Sequence, residues 1–421
     1  MTQSLGVQTN PGQSVRADDL RIFVFALFFI FGGITSLNDV IIPKLKSLFT
    51  LTYADVMLVN SAFFAAYFIV SLPAAAIVER LGYMRTAVVG LITITIGCLL
   101  FIPASSSGVF GMFLLALFVL AAGITIVQVV ANPLISMLGE PATASSRLTF
   151  AQFFNSVGTT IFPYVGSQLI LGSIATTDPG RLSGDALTAF RSIETRVIEQ
   201  TYLGLALAVL VVAAVVWFQR NRLKEAPVVP GKLLEAFSLL ARPRFAFGAL
   251  CIFVYVGAEV SIGSLLVNYL MQDNVMGISA QAAGDHVPYY WGGAMVGRFV
   301  GAYLLRVFAP GKVLASVTGT AIVLLLISAN TVGLGSGWAL LAVGLCNSIM
   351  FPTIFTLACA GLGVRAAEGS GIICMAIVGG AIVPLITGHV ADLSNLKLAL
   401  AVPAICYAVI FGFGCYARKP L

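Results

Sequence analysis

Two stretches of this chain contain no Asp, Glu, Lys or Arg: Thr86–Gly139, 54 residues, and Val313–Val364, 52 residues. Each is long enough for two membrane-spanning helices, because one crossing takes about 20 apolar residues. A water-soluble domain does not leave that much chain uncharged. The stretches begin 227 residues apart in a chain of 421, which suggests that one half was built twice. The apolar runs are continuous, whereas barrel strands alternate in short segments of about 10 residues, so the crossings are read as helices.

Composition agrees and excludes several classes. Hydrophobic residues make up 59% and charged residues 10%, against roughly 25% charged in soluble domains. The net charge of +6 does not point to nucleic acid, because the basic residues sit in short loops. Residues 1–20 are polar and lack a short apolar core with a cleavage site, so they read as a cytoplasmic tail and no signal peptide is read. The seven cysteines (Cys98, Cys251, Cys346, Cys359, Cys374, Cys406 and Cys415) fall in apolar segments without paired spacing. They read as small buried filler, not as disulfides or metal ligands. Pro310-Gly311-Lys312 resembles the end of a phosphate loop, but Arg306 stands where that loop requires glycine, so no ATP is implied. His286 and His389 lack ligand spacing, so neither a metal nor another cofactor is expected.

The expected fold is all-α and polytopic, with twelve spans near 21–43, 55–78, 86–104, 109–138, 147–172, 201–219, 244–271, 284–306, 312–332, 337–361, 369–391 and 396–416. Lys and Arg set the orientation. With the N-terminus inside, 16 of the 23 basic residues fall in cytoplasmic segments and six outside (Lys44, Lys46, Arg181, Arg191, Arg196, Lys397), while Arg298 lies within a span. Both termini are therefore expected in the cytoplasm. The longest basic segment lies between spans six and seven. It divides the chain into a six-helix half at 21–219, a cytoplasmic linker at 220–243, a second half at 244–416 and a tail at 417–421.

The halves match in detail. Gly158 and Pro163 recur as Gly379 and Pro384, offset by 221, and Pro133 recurs as Pro352, offset by 219. Span two ends in Glu79–Arg85 and span eight in Arg306–Lys312, offset by 227. Parallel halves with a substrate site between them are the arrangement of major facilitator transporters.

Three charged residues stand where charge is expensive, at least about 2.5–3.5 kcal/mol at a bilayer centre. Asp39 lies in span one within Ser36-Leu37-Asn38-Asp39. Apolar surroundings favour the neutral acid, and a carboxylate that gains and loses a proton is what a proton-coupled carrier needs. The alternative is an end-of-span pair with Lys44 or Lys46. Glu259 lies mid-span seven, suited to bind sugar hydroxyls, take a proton or coordinate sodium; its alternative is a structural pair with Arg298. Gly293, Gly297 and Gly301 recur every fourth residue and form a packing face in span eight. Arg298, beside them, is either a buried counter-charge or a residue that snorkels to an interface.

Amides add to the set. Gln128 and Asn132 share a face of span four, and Gln152 and Asn155 share a face of span five; Asn38 and Asn347 lie on spans one and ten. Neutral amides donate and accept, which suits a polyhydroxylated, uncharged ligand. Interhelical hydrogen bonding is the competing role for each of them. Among the aromatics, Tyr67 and Trp291 are candidates to stack on a sugar ring.

Several runs then resemble a known family. Leu37-Asn38-Asp39-Val40-Ile41-Ile42-Pro43, Ala131-Asn132-Pro133 and Arg147–Ser156 resemble the fucose–proton symporter family of the major facilitator superfamily. Tyr255–Glu259, Tyr290–Arg298 and Asn347–Phe355 resemble its glucose/galactose branch. The resemblance covers nearly all twelve spans. It implies a bacterial inner-membrane importer that couples a monosaccharide to a cation gradient by alternating access. In the fucose branch an Asp on span one and a Glu on span four serve proton coupling. Asp39 matches the first, and Gln128, which cannot titrate, stands at the second. Where this chain has Glu259, the fucose branch carries Gln. Gln152 and Asn155 match family sugar-site positions.

The expectation is thus a monomeric hexose symporter in the lipid bilayer. Asp39 and Glu259 serve the coupling cation (proton or sodium). Asn38, Gln128, Asn132, Gln152, Asn155, Glu259, Asn347, Tyr67 and Trp291 serve the sugar. The alternatives are a passive sugar uniporter or an amphipathic drug exporter on the same fold, and a membrane sensor or membrane enzyme. No catalytic His or Cys grouping supports an enzyme.

Overall fold

Long apolar segments must satisfy their own backbone polar groups inside a bilayer, and the α-helix does so locally. The computed structural model describes residues 14–49, 53–107, 109–170, 184–221 and 233–418, and among them the regular structure is helical throughout. The helices are α1 (Ser14–Phe49), α2 (Tyr53–Leu81), α3 (Tyr83–Leu99), α4 (Phe101–Ser107), α5 (Phe110–Met137), α6 (Ala144–Ile170) and α7 (Gly184–Gln219). They continue as α8 (Pro243–Leu270), α9 (Ala280–Val307), α10 (Pro310–Asn330), α11 (Leu334–Asn347) and α12 (Met350–Cys359). The chain ends with α13 (Ala366–Met375), α14 (Gly379–Leu393), α15 (Leu396–Ala399) and α16 (Ala401–Ala417).

Ten segments among the described residues are long and apolar enough to cross a membrane. Two further helices, α6 and α9, have 27 and 28 residues. Polar side chains lower their hydropathy, and they are the helices that carry Gln152, Asn155 and Arg298. Together these account for twelve crossings, so the chain is a multi-pass membrane protein. Large apolar side chains such as Phe218, Leu207, Leu385 and Ile405 are exposed, as a lipid-facing surface requires.

Five expected spans differ in detail. Span three is divided into α3 and α4, span ten into α11 and α12, span eleven into α13 and α14, and span twelve into α15 and α16. Pro103 and Pro352 follow the first two of these breaks and lack the N–H that would bond the carbonyl four residues earlier. Span six begins earlier than expected, because α7 starts at Gly184. The charged residues Glu194, Arg196 and Glu199 suggested a loop there. Yet Thr195, Ile198 and Tyr202, at helical spacing, are fully buried, and Thr195 Oγ1 meets Ser105 Oγ of α4 at 2.7 Å. In the segment expected as a linker, residues Leu233–Ala241 form a 3-10 helix. Arg365 holds it, donating to the Glu235 carbonyl at 3.1 Å and to Ser238 Oγ at 2.9 Å.

The described chain forms two compact units, 1–134 with 154–233, and 135–153 with 234–421. Residues 135–153 group with the second through their own bonds. Ser145 Oγ meets Thr356 Oγ1 at 2.6 Å, and Ser146 Oγ donates to the Ala302 carbonyl at 2.6 Å. Arg147 closes the same segment, donating to the carbonyls of Ile135 and Ser136, which end α5. End-of-helix carbonyls lack intrahelical donors, so the guanidinium supplies them.

Glycine sets the closest helix contacts, and it does so at the repeated positions. A Cβ on Gly158 would strike the Phe29 carbonyl of α1, and one on Gly379 would strike the Phe253 carbonyl of α8. The same close approach thus occurs at the matching position of each unit. Gly379→Ala is expected to lower stability by about 1–3 kcal/mol through overpacking. Gly388→Ala, with open space around it, should leave stability unchanged. Thermal unfolding of the purified protein in detergent checks both.

Candidate substrate and ion site

The sequence-predicted residues divide between the two units. In the first, Asn38 and Asp39 lie on α1, and their side chains are outside the described residues. The Tyr67 hydroxyl of α2 donates to Gln128 Oε1 of α5 at 2.8 Å, and both side chains are buried. Asn132, one turn beyond Gln128, is fully buried. Asn155 of α6 donates from Nδ2 to the Phe28 carbonyl of α1 at 3.3 Å. Tyr67 is therefore engaged through its hydroxyl, which fixes the Gln128 amide.

The second unit holds the other group. Arg298 of α9 donates from Nε to the Ser348 carbonyl at 3.4 Å and from Nη1 to the Gln152 carbonyl at 3.3 Å. Ser348 is four residues before Pro352, so its carbonyl has no helical donor. The guanidinium fills that place. The glycine face of α9 permits the approach: a Cβ on Gly297 would lie 2.5 Å from Ser348 Oγ and 2.7 Å from the Leu345 carbonyl. The packing reading of that face is thereby given a partner, the break between α11 and α12.

Asn347, the last residue of α11, is the centre of a hydrogen-bonded hub. Its Nδ2 donates to the Tyr290 hydroxyl at 2.7 Å, and its Oδ1 accepts from the Tyr407 hydroxyl at 2.6 Å. Its carbonyl accepts from the Tyr255 hydroxyl at 3.1 Å. The three tyrosines come from α9, α16 and α8, and all are fully buried. Both ends of the Asn347 amide are engaged within the protein.

Glu259 lies one turn beyond Tyr255 on α8 and is partly buried. Arg298 is the opposing charge that acts on its carboxylate. The Tyr290 hydroxyl reaches its main-chain carbonyl at 3.4 Å. Trp291, 45% exposed, packs across Gly263, where a Cβ would lie 3.1 Å from the ring. Gly263 is one turn beyond Glu259, so Trp291 of α9 meets the same stretch of α8 that carries the acid. A carboxylate flanked by an accessible ring can accept hydrogen bonds from a polyol while the ring covers its apolar face.

In the sequence Tyr255 and Tyr290 stand out only within the runs that resemble the glucose/galactose branch, and nothing there marks Tyr407. Their hydroxyls, not their rings, make the hub. The available signal was the rule that a buried tyrosine hydroxyl finds a partner, combined with the single buried Asn of span ten.

Fold and site define a multi-pass helical membrane transporter. The chain belongs to the Major Facilitator Superfamily, whose family model matches residues 24–384. It is 50% identical over 395 residues to the glucose/galactose transporter of Brucella abortus, covering 93% of this chain and 92% of that protein. It is 34% identical over 425 residues to the L-fucose-proton symporter of Escherichia coli K12, covering 98% and 96%. Among solved structures, the transporter FucP in the outward conformation superposes with a TM-score of 0.85 at 32% identity, covering 95% of this chain and 99% of that one.

Asn347→Ala is expected to lower stability by about 1–3 kcal/mol, because it strands buried tyrosine hydroxyls. Tyr407→Phe, which removes one hydroxyl and leaves the Asn, should cost about 1 kcal/mol. Chemical or thermal unfolding of the two variants side by side checks the order.

Proposed function

We propose that this chain is a secondary active sugar importer that carries a neutral hexose, such as glucose or galactose, together with a proton. The observation that carries the reading is Glu259: an acid kept mid-helix on α8, with Arg298 as its opposing charge and Trp291 packed one turn further along the same helix at Gly263. The names of the relatives, a glucose/galactose transporter and an L-fucose-proton symporter, support the substrate class and the coupling. The protein works as a monomer in a bacterial cytoplasmic membrane. Both termini are cytoplasmic, a placement supported by the bias of Lys and Arg.

In this reading Asp39 carries the proton and Glu259 holds the sugar or a second ion. Gln128, Asn132, Gln152, Asn155 and Asn38 supply neutral donors and acceptors to the hydroxyls. Tyr67 orients Gln128 through the bond described above. Asn347 serves the sugar indirectly, by fixing the helices that carry Glu259 and Trp291. Binding energy for the sugar is spread over many hydrogen bonds, each worth about 0.5–1.5 kcal/mol net, and more where the acceptor is charged.

Uptake of labelled galactose and glucose into proteoliposomes tests the proposal. Asp39→Asn should abolish accumulation driven by an imposed proton gradient while sugar exchange across a membrane without a gradient continues. Accumulation at the wild-type level would reject the role of Asp39. Glu259→Gln should weaken hexose binding by about tenfold or more, the value of a charge-assisted hydrogen bond. Dependence on a sodium gradient in place of the proton gradient would reassign the coupling ion.

A further inference from the structure

We propose that the end of the second unit where α8 begins is a binding site for an anionic phospholipid. Arg242 and Arg244 take the headgroup phosphate, and the apolar surface beside them takes the glycerol and the first part of the acyl chains. The site shares no residue with the Glu259 region and does not depend on which solute the chain carries.

The sequence sets the depth of the site. α8 runs 28 residues from Pro243 and is apolar enough to cross a membrane. Its first residues therefore stand where hydrocarbon gives way to headgroups. A cavity of about 400 Å³ opens at this level, inside the range of about 300–1,000 Å³ usual for ligand sites. Arg242, Pro243, Arg244 and Phe245 line it together with Leu362 and Tyr416, and its lining includes neither Asp nor Glu.

The arginines are held but not neutralised. Arg244 Nε donates to the Leu357 carbonyl at 3.0 Å, which fixes that guanidinium at the cavity wall. Among the described residues its two Nη groups, and the whole Arg242 guanidinium, have no hydrogen bond or ion pair. Arg365 shows the contrast: its Nε donates to both Glu368 carboxylate oxygens at 3.1 Å. Two unpaired guanidinium groups on one space match the oxygens of a phosphate, which accepts their N–H groups in pairs. The other lining residues are apolar or aromatic, so a free phosphate ion would find no further partner there, whereas a phospholipid would. The apolar surface also continues down the helix. Leu250 lies two turns beyond Pro243 on the same face of α8 and is exposed.

The segment before α8 adds an independent feature. Leu233–Ala241 is a 3-10 helix, in which every third residue shares a face. Ala236 and Leu239 are buried, and Arg365 takes the Glu235 carbonyl and the Ser238 hydroxyl. The remaining row, Leu234, Phe237 and Leu240, is apolar and exposed. A short helix with one apolar row, leading into a crossing at a pair of arginines, is built to lie in the membrane surface. Acyl chains of the lipid layer cover that row, and a headgroup of the same layer reaches the arginines.

Native mass spectrometry of the full-length protein in detergent, titrated with phosphatidylglycerol, phosphatidylcholine or inorganic phosphate, tests the site. The wild type should bind its first phosphatidylglycerol about thirtyfold more tightly than phosphatidylcholine, about fivefold for each arginine. Arg242→Gln, which breaks no bond within the protein, should lose about fivefold for phosphatidylglycerol and nothing for phosphatidylcholine. Adding Arg244→Gln, whose amide retains a donor for the Leu357 carbonyl, should abolish the preference. Arg306→Gln, an exposed arginine outside the cavity, should change neither affinity. A double variant with Phe237→Asn and Leu240→Asn should weaken both lipids alike, by about tenfold. Equal binding of the two lipids by the wild type, or a preference that survives loss of both arginines, would overturn the site. An equal loss in Arg306→Gln would reduce it to general charge attraction and overturn it as well. Inorganic phosphate that displaces phosphatidylglycerol and depends on the same arginines would overturn the lipid as occupant. Wild-type lipid binding in the Phe237, Leu240 variant would overturn the part given to the 3-10 helix.

Discussion

Much of the second unit depends on hydrogen bonds that one helix cannot make for itself. Pro352 removes an amide donor, α11 ends at Asn347, and α12 begins three residues later. The carbonyls of Asn347 and Ser348 would then stand bare in an apolar interior, where each unmet group is costly. Tyr255 and Arg298 meet them from two other helices. The same contacts bring Glu259 and its opposing charge to the break. Architecture and candidate chemistry are thus held by one set of bonds.

Small residues make this geometry accessible. Gly293, Gly297 and Gly301 let α9 lie against the break, and Gly344 lets the end of α11 reach the Tyr290 carbonyl. Between apolar helices in lipid, no hydrophobic force draws one to the other, so close van der Waals contact and interhelical hydrogen bonds must do so. Glycine supplies the contact and the tyrosine hub supplies the bonds. In the first unit, Gly158 against the Phe29 carbonyl and Tyr67 on Gln128 divide the same two tasks.

The fold was legible because its causes are local in sequence. Uncharged runs of crossing length, basic loops and paired Gly–Pro positions specify helices, their number and a repeat. Interrupted helices were less legible. Pro73, Pro133 and Pro288 lie inside helices, whereas Pro103 and Pro352 follow breaks. Tertiary donors decide between these outcomes, and the chain does not display them. The early start of α7 was hidden for a similar reason: its charged face looks like a loop until Thr195 and Ile198 are seen buried. In the site, Glu259 and Arg298 stood out because charge is rare in a span. The hub around Asn347 was not legible, because nothing in the sequence places three hydroxyls around its amide and carbonyl.

The central claim is that sugar and a proton cross together. Electrical recording from proteoliposomes adsorbed on a solid-supported membrane tests it most directly. A sudden addition of galactose, with no pH or sodium gradient, should drive positive charge into the vesicles, and the current should vanish in Asp39→Asn while labelled sugar still exchanges. Sugar entry with no accompanying charge in the wild-type protein would contradict the account.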